Sequence, residues 1–218
     1  MLKFMADNPA AQLCLRNALR RAWPGALAEQ RTPTIDEIHG TCIPELDATV
    51  EETLRCAGTL PNTVRDAIRD TILLGHFVPK GTTVFMTLYG PGILVPPFHG
   101  AMDGNIGKEA EWDPKDIHKF KPERWLVPSR KAPGGLDFNI NAGPSMPFSL
   151  GVRSCFGRRM AYYQLRTVLA LVVWRFVLER CPEALSTARP WMACLTGRST
   201  AMLGCRLHTE VDWLGSLT

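Results

Sequence analysis

Cys155 lies in the run Phe148-Ser149-Leu150-Gly151-Val152-Arg153-Ser154-Cys155-Phe156-Gly157, just ahead of the strongest helical pattern in the chain. A thiol there meets unpaired backbone N–H groups and the positive end of a helix dipole. Both favour an anion, so its pKa should be depressed and its thiolate should ligate a metal well. Gly151 and Gly157 carry no Cβ and would let the backbone approach a flat ligand closely. A lone cysteine is more often a small buried hydrophobe, so its setting carries the argument. Glu52 and Arg55, three residues apart, share one helix face. Taken alone, they read equally as an exposed salt bridge worth a few tenths of a kcal/mol.

The elements that must hold these residues follow from periodicity and punctuation. Asn8-Pro9 opens a helix over 8–23 that turns Leu13, Ala18 and Leu19 to a core and leaves its arginines on a solvated face. Thr34 with Asp36 and Glu37 caps a short helix over 34–42, and Pro44-Glu45 starts another over 44–56. Residues 60–89 alternate β-prone pieces with Pro61, Gly75, Pro79 and Gly81 and read as a small sheet, clearest from Thr82 to Tyr89. Residues 90–147 form a long irregular segment tacked down by aromatic residues at 98, 112, 120, 125 and 138. After the cysteine loop, 148–157, a helix over 157–180 contains no Gly or Pro and should be mostly buried. A terminal hairpin is expected over 194–207.

Composition limits the function classes. The 218 residues carry 25 basic and 21 acidic side chains, a net charge of +4 with no block of like charge, which disfavours a nucleic-acid platform. Seven cysteines, at 14, 42, 56, 155, 181, 194 and 205, form no CxxC pair. Most should be buried small hydrophobes, and no zinc spacing is present. The five histidines, at 39, 76, 99, 118 and 208, form no HxxxH or HExxH. A zinc or disulfide protein is therefore disfavoured. No stretch has the length of a membrane anchor, and Met1 to Ala11 lacks the apolar run of a signal peptide.

Phe148, Gly151, Arg153, Cys155 and Gly157 together spell FxxGxRxCxG, which resembles the haem-binding signature of the cytochrome P-450 monooxygenases. Glu52-Thr53-Leu54-Arg55 matches the family's ExxR. Phe120-Lys121-Pro122-Glu123-Arg124-Trp125 is similar to its FxPERW, and the three motifs occur in the family's order. The resemblance runs over nearly the whole chain, with Gln164 standing where many relatives carry Glu, and its phrasing is most like microsomal members from filamentous fungi.

This resemblance implies a mainly α fold with a small mixed β-sheet, equivalent to the C-terminal half of the P-450 domain, so that 1–218 is a partial domain. It implies haem held by Cys155 as the axial thiolate, with Arg153 and Arg65 on the propionates and Phe148 beside the sulfur. Glu52, Arg55 and Arg124 would form a buried lock fixing the loop that carries the cysteine. The implied activity is insertion of one oxygen atom from O2 into a small organic substrate, plausibly in secondary-metabolite biosynthesis, with electrons from an NADPH-dependent reductase. Arg158, Arg159 and Arg166 would face that acidic donor, or simply form a solvated helix face. Family members usually sit on the cytoplasmic side of the endoplasmic reticulum membrane, and this sequence carries no anchor of its own. No catalytic acid–alcohol pair is identified, because the distal helix that carries it has no counterpart here; Gly81-Thr82-Thr83 is only superficially like that motif and belongs to the sheet. The alternative reading is a non-catalytic remnant or a haem-binding or interaction module.

Overall fold

The computed structural model describes residues 1–58, 62–87, 112, 115–130, 132–143 and 145–180, and the backbone of 204–207. Five helices come first: α1 (Leu2–Asp7), α2 (Pro9–Ala22), α3 (Pro24–Ala28), α4 (Ile35–Gly40) and α5 (Pro44–Ala57). Then come β1 (Asn62–Asp66), β2 (Thr71–Leu73), β3 (His76–Val78) and β4 (Thr83–Thr87). A 3-10 turn at Pro122–Trp125 precedes β5 (Leu126–Pro128) and β6 (Leu136–Phe138). A second 3-10 turn, Gly151–Arg153, leads to α6 (Arg158–Arg175), β7 (Phe176–Glu179) and β8 (Gly204–Leu207).

The core forms where α2, α5 and α6 meet, with α4 against α6. Leu15, Leu19, Ile38, Leu46, Val50, Leu169, Val173 and Leu178 are buried there. Trp23 and Trp174 pack edge to face at 5.8 Å. Each indole N–H is satisfied, Trp174 by Arg31 O at 3.1 Å and Trp23 by Glu37 O and Thr41 Oγ1 at 3.2 Å, as buried aromatic donors require.

Local signals fix the element ends. Thr34 caps α4 in a reciprocal box: its hydroxyl accepts from Glu37 N at 3.2 Å and Glu37 accepts from Thr34 N at 2.7 Å. Arg31 also grips Glu37 through both guanidinium nitrogens at 2.7 Å. Those hydrogen bonds, Arg31 first and then the Thr34 amide, hold the Glu37 carboxyl at about 2 against 4.5. Because the folded pKa lies below the unfolded one, this group's stabilisation is present above the unfolded value and is lost as pH falls through about 2. A carbon-detected NMR titration should find the Glu37 carboxyl midpoint near 2, and in Arg31→Gln it should return toward the ordinary carboxylate range.

Several expectations are corrected. The fold is mainly helical as expected, and among the described residues its strands pair as four two-stranded antiparallel ladders rather than one mixed sheet. In the β2–β3 hairpin Leu73 pairs with His76, and the connecting Leu74 and Gly75 both have positive φ, +52° and +80°. This is the two-residue geometry that suits strand twist. Leu13 is exposed, because the inward stripe of α2 runs through Gln12, Leu15, Arg16 and Leu19. Arg16 is thus buried and not part of a solvated basic face. Asn8 sits at the start of α2, yet its side chain caps no N–H there; its amide donates backward to Phe4 O at 2.9 Å and closes the end of α1 instead.

The last long helix stops at Arg175 instead of 180. Phe176–Glu179 turns into β7 and pairs with β8, from Phe176 opposite Leu207 to Glu179 opposite Gly204. The buried residues of α6, Leu169, Ala170, Val173 and Trp174, all lie in its second half, and Met160, Tyr163 and Val168 are exposed. The long segment holds a 3-10 turn and the β5–β6 hairpin, while its stretch from 90 to 111, the start of the small sheet at 60–61 and its end at 88–89, and residues 194–203 of the expected terminal hairpin lie outside the described residues. Cys14 and Cys42 are exposed, against the expectation that most cysteines are buried, and Cys155, singled out as a ligand, is exposed too. Cys56 is half-buried, and burial pushes its thiol up to about 12. Cys181 and Cys194 lie outside the described residues.

Candidate functional site

Helix α5 is the platform. Its buried Glu52 sits one turn from Arg55, and the guanidinium meets the carboxylate through Nε at 2.8 Å and Nη2 at 2.7 Å. Glu52 also accepts from Lys121 N at 2.9 Å, Arg124 Nε at 3.2 Å and Trp125 Nε1 at 2.8 Å. Arg55 and Arg124 also donate to backbone carbonyls, Lys119 O for both and Asp116 O for Arg124, at 3.1–3.2 Å. The Trp112 ring lies 4.6 Å from the Arg124 guanidinium and meets Trp125 edge to face at 5.1 Å. Gly143 leaves that ring its room, since a Cβ there would overlap the indole. The structure therefore brings Glu52, Arg55 and Arg124 into one satisfied buried cluster. That is what a buried ion network needs if it is not to destabilise the fold. Its immediate hold is on residues 116–125.

Neighbouring Glu51, also buried, points elsewhere on α5. Its carboxylate accepts from Ser145 Oγ and from Tyr162 Oη, both at 2.6 Å. Burial and then this hydrogen bond push the Tyr162 phenol above its usual range. No sequence pattern marked Glu51, Ser145 or Tyr162.

Between those two anchors lies the cysteine loop. Cys155 N donates to Phe148 O at 2.8 Å, closing the loop, and Ser154 N donates to Gly151 O at 3.0 Å. Gly151 takes φ +73°, a conformation that needs glycine, and Ser149 takes +58°. Phe148 is partly buried against the core, with its ring 5.3 Å from that of Tyr162. Gly157 precedes α6, and a Cβ there would lie 3.9 Å from Cys155 Sγ, so its absence keeps the space beside the sulfur open. Cys155 itself is exposed, among exposed Leu150, Val152, Phe156 and Met160.

The residues present suit a flat apolar group bound through one sulfur. Among the described residues no cluster of three or more His, Cys, Asp or Glu could hold a metal. Cys155 thus belongs to no such cluster among the described residues, and a metal bound there would bring other coordination with it. The exposed apolar side chains of the loop and the start of α6 would give such a group a surface that water does not favour.

Arg153 is exposed on the 3-10 turn of the loop. Arg65 lies on β1 and donates to Thr63 Oγ1 at 2.9 Å and Val64 O at 2.8 Å. Among the described residues no hydrogen bond or ion pair joins Arg65 to the cysteine loop. Arg166 departs from the outward-facing reading. It binds Ile38 O at 3.0 Å, Thr41 O at 2.6 Å and the Asp47 carboxylate, and so ties the end of α4 and α5 to α6. A cation on the closing carbonyls of a helix is a cap, and its one readable sign was the short α4 ahead of it.

Comparison with known proteins agrees with these features. The family model described as Cytochrome P450 matches residues 1–93 and 102–203. The chain is 41% identical over 206 residues to the cytochrome P450 monooxygenase TRI13 of Fusarium sporotrichioides, covering 86% of this chain and 35% of that protein. It is 38% identical over 204 residues to the Hps1-dma1 cluster cytochrome P450 monooxygenase cyp3.1 of Dothistroma septosporum, covering 85% and 64%. The crystal structure of a cytochrome P450, CYP102L1, superposes with a TM-score of 0.57 at 26% identity over 84% of this chain and 35% of that one. The chain therefore spans less than two thirds of the length of these relatives.

Proposed function

The chain belongs to the cytochrome P450 family, and on that premise we propose that it is the cysteine-bearing part of a haem-thiolate monooxygenase, with Cys155 as the axial ligand. The observation that carries this reading is the exposed thiol on a loop closed by the Cys155 N to Phe148 O bond and flanked in sequence by exposed apolar residues. Haem held there would supply oxygen activation, with electron donation from the sulfur favouring O–O cleavage. The chain's own part is to hold the sulfur, keep the space beside it open at Gly157, and present Arg153 and Arg65 to the propionates.

The substrate would be a small organic molecule. The Dothistroma relative is named for a gene cluster, which supports a role in secondary-metabolite biosynthesis. Electrons would come from NADPH through a reductase. Arg158 and Arg159 suit the contact because they line an open cleft of about 350 Å3 with Phe138 and Ile140, whereas Arg166 is engaged internally. Among the described residues no helix is long and apolar enough to cross a membrane.

The test is to load the chain with haem, reduce it and add carbon monoxide. A strongly red-shifted thiolate band should form and should be absent in Cys155→Ala. No band in the unmodified chain rejects the assignment. A band without substrate turnover, with reductase and NADPH present, favours the second reading of a haem-binding module without oxygen chemistry.

A further inference from the structure

Glu51 and Glu52 are adjacent on α5, so their side chains leave the helix about 100° apart and serve different segments. Glu52 faces two guanidinium groups, whereas the described partners of Glu51 are two neutral hydroxyls, one on each side of the cysteine loop. Ser145 lies ahead of the loop and Tyr162 one turn into α6, with Cys155 between them.

We propose that Glu51 is a positioning residue that clamps both ends of the cysteine loop and thereby sets where the Cys155 sulfur stands. This proposal rests on the haem-thiolate reading for its purpose, though not for its geometry.

The mechanical route is short. Both oxygens of Glu51 are engaged at 2.6 Å, the distance of charge-assisted O–H to carboxylate bonds. The Tyr162 ring that one of them fixes lies 5.3 Å from the Phe148 ring, and Phe148 O receives the Cys155 amide at 2.8 Å. Arg158 covers the same tyrosine from 5.7 Å. Releasing either hydroxyl frees one end of the loop, and the freedom gained is that of a longer unpinned segment. Since no cation faces Glu51 among the described partners, neutral replacements strand no buried positive charge, and the clamp can be tested apart from the Glu52 cluster.

Ser145→Ala, Tyr162→Phe and Glu51→Gln should be compared with Thr34→Ala, which removes the distant α4 cap. In the full chain without haem, hydrogen exchange over residues 149–157 should speed up by roughly tenfold to a hundredfold in the clamp variants while amides of α2 and α5 stay near wild type. Thr34→Ala should leave the loop unchanged. In the haem-loaded chain the same variants should lose haem roughly tenfold faster and show a smaller thiolate fraction in the carbon monoxide spectrum. Exchange rising by one factor everywhere, or not rising in the loop, overturns the clamp. Local exchange together with no thiolate band in the wild type overturns the haem-thiolate reading instead, and the clamp then stands without that purpose.

Discussion

Arg55→Ala should cost about 3–5 kcal/mol of unfolding free energy, the range for removing one partner of a buried ion pair. The side chains of Glu52 and Arg55 are both 0% exposed. With the guanidinium gone, Glu52 keeps the amide of Lys121, the Trp125 indole and Arg124 at 3.2 Å, but its closest, two-pronged cation is lost in a place water does not reach. Lys119 O loses a donor at the same time. The cost is therefore mostly that of a buried anion left with one cation at longer range, not the modest net worth of the pair. Urea unfolding should show a lower midpoint at unchanged slope. Amide hydrogen exchange should rise first over 116–125, the segment the cluster holds. A loss under about 1 kcal/mol would put the pair among ordinary surface salt bridges and would sink the view that it anchors the loop region.

The legibility of this molecule divides along physical lines. Glu52 and Arg55 could be read because i,i+3 spacing is a local rule, and Cys155 because its motif is contiguous. Arg124 required the resemblance, since its bond to Glu52 spans 72 positions. Glu51 left no trace, because its partners are a serine and a tyrosine whose types are unremarkable and which lie 94 and 111 positions away. The end of α6 was misplaced for a related reason. Phe176-Val177-Leu178 continues an apolar pattern without Gly or Pro, and only pairing with 204–207 makes it a strand. The hairpin at Leu74-Gly75 was readable through its glycine, while the positive φ of Leu74 was not. Position along α6 mattered too: apolar periodicity implied burial along the whole helix, whereas Met160, Tyr163 and Val168 stay exposed and burial begins at Leu169.

Arg16 is the sharpest case, and its replacement gives the second large effect: Arg16→Met should destabilise the chain by about 2–4 kcal/mol, the cost of leaving buried acceptors unmet. Counting apolar residues turned Leu13 inward, yet the inward positions are Gln12 and Arg16 because the surface they meet is polar. Arg16 donates to Val173 O at 3.0 Å in the last turn of α6 and to Phe176 O at 2.6 Å where the helix becomes β7. A cation at that end also opposes the negative end of the helix dipole. Gln12 completes the junction: its oxygen accepts from Arg16 at 3.1 Å and from Leu178 N at 2.8 Å, and its amide donates to Leu178 O at 3.0 Å and Met5 O at 3.2 Å. The pair thus supplies, inside the core, the hydrogen bonds a helix gives up when it converts to a strand. Methionine keeps much of the stem's volume, so the loss reports the guanidinium. Because Gln12 and Arg16 are hydrogen-bonded to each other, Gln12→Ala combined with Arg16→Met should cost less than the sum of the two by at least about 0.5 kcal/mol. Chemical denaturation measures both terms, and hydrogen exchange at the Leu178 amide locates them. Strict additivity, or a single-variant loss below about 0.5 kcal/mol, would mean that the helix-to-strand junction is held by the β7–β8 ladder alone.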